Sequence, residues 1–105
     1  MTPIMNNEKI NIGILGCGRV CEHYIQKILI SERVGDLYQV VACCDVDKNK
    51  SEYVGGIFSC TPYNDIEKFV QHKNMEVVVI LTKSGQHYEH SKICMLHGLN
   101  VIVEK

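Results

Sequence analysis

The sequence predicts a doubly wound α/β domain with about five parallel strands and helices on both faces of the sheet. Strongly apolar runs alternate with amphipathic stretches along the 105 residues, and a glycine-rich turn directly follows the first apolar run. The composition is 46% hydrophobic and 22% charged, which is typical of a single globular domain. We therefore expect residues 1–105 to form one folding unit.

Four apolar runs predict buried parallel strands, because strands covered on both faces are almost continuously hydrophobic. They lie at residues 9–15, 38–44, 76–81 and 100–103. A shorter fifth strand is expected at residues 57–60. Parallel neighbours require crossover connections, so the intervening segments should be helices.

We predict one helix in each of the four connections, at residues 19–31, 47–53, 64–71 and 86–97. In the first, apolar residues recur at helical spacing. In the third, Asn64 and Glu67 resemble a capping pair. Gly98 stands where the C-terminal cap of the fourth helix belongs.

The charge distribution argues against two classes of partner. The chain carries 11 basic and 12 acidic residues with no basic run, so neither nucleic acid nor a charged membrane surface is an expected partner. The longest aliphatic run, at residues 77–81, is far shorter than the roughly 18 residues of a membrane span. The start of the chain lacks the pattern of a signal peptide, so we expect a cytoplasmic protein.

We predict that the cysteines are free thiols that fill the core, because nothing in the sequence indicates secretion. The six are Cys17, Cys21, Cys43, Cys44, Cys60 and Cys94. A zinc site could be built from Cys17, Cys21 and His23, or from His87 and His90. Neither group offers four ligands or a Cys-x-x-Cys pair, so no metal is expected.

The turn after the first strand predicts a dinucleotide pyrophosphate site. Gly16 allows a tight turn, and Gly18 lets main-chain amides approach a pyrophosphate at the positive end of the helix. Arg19 and Val20 complete the predicted binding turn, and Cys21 occupies the position that is usually Gly or Ala. The alternative is a glycine-rich turn that binds no ligand.

Asp45 follows the second strand, where a carboxylate can accept hydrogen bonds from both hydroxyls of the adenosine ribose. It could instead cap the next helix. The same carboxylate would repel a 2′-phosphate, and Val46 offers no guanidinium to bind one, so NAD is favoured over NADP. A methyltransferase domain is less favoured, because its usual acidic residue before the glycine turn is replaced here by Ile14.

Five segments taken together resemble the amino-terminal NAD(P)-binding Rossmann domain of the Gfo/Idh/MocA oxidoreductases. They read GILGCGRV, VVACCDVD, YNDIEKF, VVVILTKSGQHYEH and GLNVIVEK. The resemblance implies hydride transfer between a nicotinamide coenzyme and a sugar or nucleotide-sugar carbinol. The Ser84-Gly85-Gln86-His87 segment is most similar to members that oxidise nucleotide-linked amino sugars at C3 for lipopolysaccharide or other surface polysaccharides.

The resemblance also implies roles for individual residues. It implies that four residues bind the coenzyme: Thr82, Ser84, His87 and Glu104. Lys105 matches the family lysine implicated in substrate binding and proton transfer, although a solvated terminal lysine is an alternative. Lys83 replaces the common proline after the threonine, and His87 could equally be a helix-start residue without a ligand.

The second, substrate-binding half of the family is absent from these 105 residues. We therefore expect a chain that binds NAD but does not turn over substrate alone. An exposed sheet edge and apolar surface would favour a homo-oligomer. Two alternatives remain: a non-catalytic NAD-binding regulatory module, and an interaction module that binds no dinucleotide.

Overall fold

The protein forms a five-stranded parallel sheet in the order β3-β2-β1-β4-β5. This computed structural model describes residues 9–19, 21–25, 27 and 38–103. The strands are β1 (Ile10–Leu15), β2 (Tyr38–Cys44), β3 (Thr61–Tyr63), β4 (Val77–Ile80) and β5 (Asn100–Val103). The doubly wound α/β class predicted from the sequence is therefore confirmed.

Helices connect the strands in the predicted order. Helix α1 is described at residues 19, 21–25 and 27, so residues 28–31 of the predicted helix lie outside the described part of the chain. The others are α2 (Lys48–Phe58), α3 (Ile66–Phe69) and α4 (His87–Leu96), with a 3-10 turn at Ser84–Gln86 before α4. The strand order reverses between β1 and β4, which is where open α/β sheets bind ligands, beyond the carboxyl ends of the strands.

The predicted strand at residues 57–60 is wrong, because α2 continues through Phe58 and the strand is Thr61–Tyr63. Val54 and Phe58 lie one helical turn apart and are both buried, so packing favours the helix beyond the predicted end at residue 53. Ser59 then adopts a left-handed conformation with φ 55° and ends the helix. The edge strand β3 pairs with β2 over only three residues.

The start of α3 also differs from the prediction, because Asp65 caps the helix instead of Asn64. The Asp65 carboxylate accepts a hydrogen bond from the Glu67 N–H at 3.0 Å. The Asn64 amide instead donates to the Asp45 carbonyl at 3.1 Å and to Ser51 Oγ at 3.0 Å, so it ties β3 to the end of β2. Gly98 has φ 79° and directly follows His97, the C-cap of α4, which confirms its predicted position at the helix end.

Two hydrophobic clusters pack on opposite faces of the sheet, as the alternation of side chains along β1 requires. One contains Ile12 and Ile14 with residues of α1 and α2, and the other contains Leu15 with residues of α3 and α4.

All six cysteines are free thiols and five are buried. Burial raises the pKa of Cys94 to about 11. It also raises the pKa of Cys21 to about 12. These thiols are therefore protonated at neutral pH and act as the apolar filler that the sequence predicts.

Gly13 in β1 is required by close packing, and replacing it with alanine should lower the free energy of unfolding by about 2 kcal/mol. An added Cβ would lie 2.3 Å from Met75 Sδ and 2.9 Å from Phe69 Cζ. The methionine can move, but the fully buried Phe69 ring cannot yield easily. Gly56→Ala is the control: its Cβ meets nothing within 4 Å in α2, so it should raise stability by about 0.7 kcal/mol. Urea unfolding of both variants tests this, and equal stabilities would contradict the packing argument.

Candidate dinucleotide site

The glycine turn is built into the sheet through Gly16. Its N–H donates to the Cys44 carbonyl at 2.8 Å, and its φ is 103°, a conformation that side chains rarely adopt. An added Cβ would lie 2.8 Å from the Leu81 carbonyl carbon and 2.9 Å from the Thr82 nitrogen. The turn therefore packs directly against the chain that leaves β4, and this close approach requires glycine.

Gly18 has a different environment, because its neighbours leave room for a side chain. The nearest atom to an added Cβ is Lys50 Nζ at 3.7 Å. Among the described residues, nothing accepts a hydrogen bond from the main-chain N–H groups of Gly18 and Arg19. The N–H groups of Gly16 and Cys17 are already bonded within the protein, so the amides of this turn that remain available to a ligand begin at Gly18. Val20, also predicted to bind the coenzyme, lies outside the described residues.

Asp45 joins the end of β2 to the glycine turn. Its Oδ2 accepts a hydrogen bond from the Cys17 N–H at 2.8 Å, and its Oδ1 accepts one from the Asp47 N–H at 2.8 Å. The alternative that Asp45 caps α2 is wrong, because the N-cap is Asp47, whose carboxylate accepts from the Asn49 N–H at 3.0 Å. A carboxylate has about four acceptor positions, so Asp45 keeps two for other donors.

A cavity of about 620 Å³ lies at the carboxyl edge of the sheet. Of the predicted coenzyme-binding residues, it is lined by Gly16, Gly18, Arg19, Asp45 and Thr82. Ser84 does not line it and is exposed at the start of the 3-10 turn. Glu104 and Lys105 lie outside the described residues. The structure thus brings the glycine turn, the β2 carboxylate and the β4 threonine to one cavity.

His87 does not line this cavity, but it contacts Thr82, which does. Its Nε2 donates to the Thr82 carbonyl at 2.6 Å, so it holds the segment that follows β4. In this structure His87 contacts Thr82, and its predicted role in binding the coenzyme stays a prediction.

Several lining residues were not predicted to belong to the site, among them the polar residues Lys50, Asn64 and His90. His90 Nδ1 lies 2.9 Å from the Thr82 hydroxyl oxygen. Its spacing of three residues from His87, one turn along the same helix, is a signal that could have indicated it. Burial lowers the pKa of His90 from its usual value, Glu89 opposes that shift, and His87 adds to it.

The arrangement fits a dinucleotide. Free amides at Gly18 and Arg19 suit an anionic diphosphate at the start of α1, and a methyl group on Gly18 would occupy part of the space such a ligand needs. The spare acceptor positions of Asp45 suit a ribose diol.

Within the described ranges, no group of three or more His, Cys, Asp or Glu residues could hold a metal ion. No helix in that part of the chain has the length and apolar character needed to cross a membrane.

Comparison with known proteins agrees with this geometry. Residues 10–105 match the model of an oxidoreductase family with an NAD-binding Rossmann fold. A curated relative, the scyllo-inositol 2-dehydrogenase (NADP(+)) IolW of Bacillus subtilis (strain 168), is 29% identical over 99 residues. That alignment covers 93% of this chain and 26% of the relative.

Solved structures show the same architecture. The WlbA dehydrogenase of Bordetella pertussis, in complex with NADH and UDP-GlcNAcA, is 26% identical with a TM-score of 0.83, covering 93% of this chain and 30% of that one. The 3-ketoreductase KijD10 of Actinomadura kijaniata, in complex with TDP-benzene and NADP, is 17% identical with a TM-score of 0.81, which shows the fold alone. That match covers 93% of this chain and 30% of the ketoreductase. The chain thus spans less than a third of the length of these relatives.

Proposed function

The chain belongs to the Gfo/Idh/MocA oxidoreductase family, and from this premise we propose that it is the coenzyme-binding half of an NAD-dependent sugar or nucleotide-sugar dehydrogenase. The observation that carries the proposal is the Asp45 carboxylate, hydrogen-bonded to the glycine turn on the wall of the cavity. In this proposal Asp45 accepts hydrogen bonds from a ribose diol beside a turn that binds the diphosphate, as an adenosine diphosphate requires.

We propose that the coenzyme follows the order of the strands across the sheet edge. Asp45 follows β2, the glycine turn follows β1, and Thr82 follows β4, on the far side of β1. The adenosine ribose then lies at Asp45, the pyrophosphate at the turn, and the nicotinamide half toward Thr82.

NAD is the proposed coenzyme. The Asp45 carboxylate would repel the 2′-phosphate of NADP, and the neighbouring Val46 is 90% exposed and uncharged. The relatives include complexes with NADH and with NADP, so the preference depends on this local electrostatic argument.

The proposed substrate is the carbinol of a sugar or nucleotide sugar, supported by the UDP-GlcNAcA bound in the related WlbA structure. The bound nicotinamide would accept the hydride. By the family resemblance, Lys105 would exchange the hydroxyl proton and Glu104 would contact the coenzyme. Residues outside these 105 would complete the substrate site, because the relatives are more than three times as long. A role in lipopolysaccharide synthesis, a cytoplasmic location and self-association are part of the same proposal.

Calorimetric titration of the 105-residue chain with NAD+ and NADP+ tests the coenzyme assignment. We expect one NAD+ to bind per chain and NADP+ to bind at least about tenfold more weakly. A folded chain that binds neither nucleotide would overturn the assignment. Sugar oxidation is measured separately through NADH formation, and clear turnover by the 105-residue chain would contradict the proposal that further residues complete the site.

A further inference from the structure

Thr82 is held by two histidines that lie one turn apart on α4. His87 Nε2 is 2.6 Å from the Thr82 carbonyl oxygen, and His90 Nδ1 is 2.9 Å from the Thr82 hydroxyl oxygen. A carbonyl can only accept, so His87 must donate from Nε2. The hydroxyl can donate or accept, so its direction depends on whether His90 Nδ1 carries a proton, which the tautomer and the protonation state of the ring together decide.

We propose that His90 sets the hydrogen-bonding direction of the Thr82 hydroxyl, so that neutral His90 with its proton on Nε2 leaves this hydroxyl as an acceptor for the carboxamide N–H of the nicotinamide. This proposal rests on the proposed function and deepens it by naming a positioning residue for the coenzyme. His90 and Thr82 both line the cavity, on the β4 side of the glycine turn where the nicotinamide half is placed.

At Nδ1, neutral His90 with its proton on Nε2 offers Thr82 a hydrogen-bond acceptor, and protonated His90 offers a donor. With neutral Nδ1 as acceptor, the Thr82 hydroxyl donates its only proton to the ring and keeps its lone pairs for a ligand. A carboxamide has two N–H donors, so it complements that lone-pair acceptor. When His90 is protonated, Nδ1–H donates to Thr82, and the hydroxyl proton turns toward the ligand and meets an N–H donor.

The surroundings of His90 favour its neutral form near neutral pH. Partial burial lowers its pKa, the nearby Glu89 carboxylate raises it, and His87 lowers it further. The other charged groups that line the cavity are Arg19, Asp45, Lys50 and Lys83. Acidification below neutral pH protonates an increasing fraction of His90, and carboxylates with ordinary pKa values stay mostly ionised down to about pH 5.

The experiment compares NAD+ with ADP-ribose, which retains the ribose and pyrophosphate contacts and lacks the nicotinamide. Calorimetric titrations of the 105-residue chain are carried out at about pH 7.5 and about pH 5. We expect the affinity for NAD+ relative to ADP-ribose to fall about fivefold at the acidic pH, the effect of losing one hydrogen bond. The ratio removes effects of acid on Asp45 and the glycine turn, because both ligands use them.

Two variants test the role of each partner. His90→Asn retains an amide acceptor that does not titrate, so its NAD+ to ADP-ribose ratio should be the same at both pH values. Thr82→Val removes the hydroxyl and should lower the ratio about fivefold at pH 7.5 and leave it independent of pH. Circular dichroism confirms that each variant folds.

The outcomes separate this proposal from the one on which it rests. If neither NAD+ nor ADP-ribose binds the folded chain, the coenzyme assignment itself is wrong. If both bind, and neither acidification nor the Thr82→Val substitution changes their ratio, the role of His90 and Thr82 is overturned. A ratio that still falls at acidic pH in His90→Asn would likewise overturn it, because another group would then be responsible.

Discussion

Gly16→Ala is expected to lower the free energy of unfolding by about 3 kcal/mol, the largest stability effect we predict. The backbone φ of 103° is unfavourable for any residue with a Cβ. The added atom would also lie 2.8 Å from the Leu81 carbonyl carbon and 2.9 Å from the Thr82 nitrogen, which are main-chain atoms and cannot rotate away. Thermal and urea unfolding measure the loss, which corresponds to a fall in the midpoint of more than about 10 °C for a domain of this size.

Gly18→Ala is the matched control, two residues along the same turn. Its Cβ would meet only Lys50 Nζ, at 3.7 Å, and that side-chain end can move. We therefore expect a stability within about 0.5 kcal/mol of the unmodified protein. If the turn binds a pyrophosphate, however, the methyl group should weaken NAD+ binding about tenfold, because it obstructs the approach to the free amides. A stable Gly16→Ala variant, or unchanged NAD+ affinity in Gly18→Ala, would contradict this division of roles.

Much of the site could be predicted because its parts are local in sequence. A glycine directly after a buried strand and an acid directly after the next strand reach the same sheet edge whenever the strands are parallel. Gly16 and Asp45 follow β1 and β2 in this way and meet at the Cys17 N–H. The apolar runs that predict the strands were therefore enough to predict that both groups lie at this edge.

Lys50, Asn64 and His90 could not be identified in the same way, because tertiary packing brings each to the cavity. Lys50 reaches it from α2, and Asn64 reaches it through hydrogen bonds to Asp45 and Ser51. His90 lines it only because α4 begins where it does, at His87. Such contacts depend on how helices pack on the sheet, and one sequence gives little information about that packing.

The misplaced strand at residues 57–60 has a more specific cause. Ile57 and Phe58 have high β propensity, and Cys60 extends the apolar run. Val54, Ile57 and Phe58 nevertheless follow the spacing of three and four residues that buries one face of a helix. Packing of Val54 and Phe58 into the cluster beside α1 outweighs the local preference.

Asp45→Ala is expected to weaken NAD+ binding about 30-fold, the largest effect on affinity that we predict. The change removes the proposed acceptor of two ribose hydroxyls, and hydrogen bonds to a charged group contribute more than neutral ones. It also removes the hydrogen bonds that the carboxylate accepts from the Cys17 and Asp47 N–H groups. Calorimetric titration measures the loss, and the repulsion of a 2′-phosphate disappears with the carboxylate, so the ratio of NADP+ to NAD+ affinity should rise.

Asp47→Ala separates the ribose contact from a general loss of order at the end of β2. Asp47 caps α2 through the Asn49 N–H, so its removal should lower stability by about 1 kcal/mol, as for other N-caps. Asp47 does not line the cavity, and its own main-chain N–H to Asp45 survives the substitution. NAD+ affinity should therefore stay within about twofold of the unmodified protein. Equal losses of affinity in the two variants would mean that Asp45 acts only through the order of the chain at the end of β2, and the selectivity for NAD would then need another source.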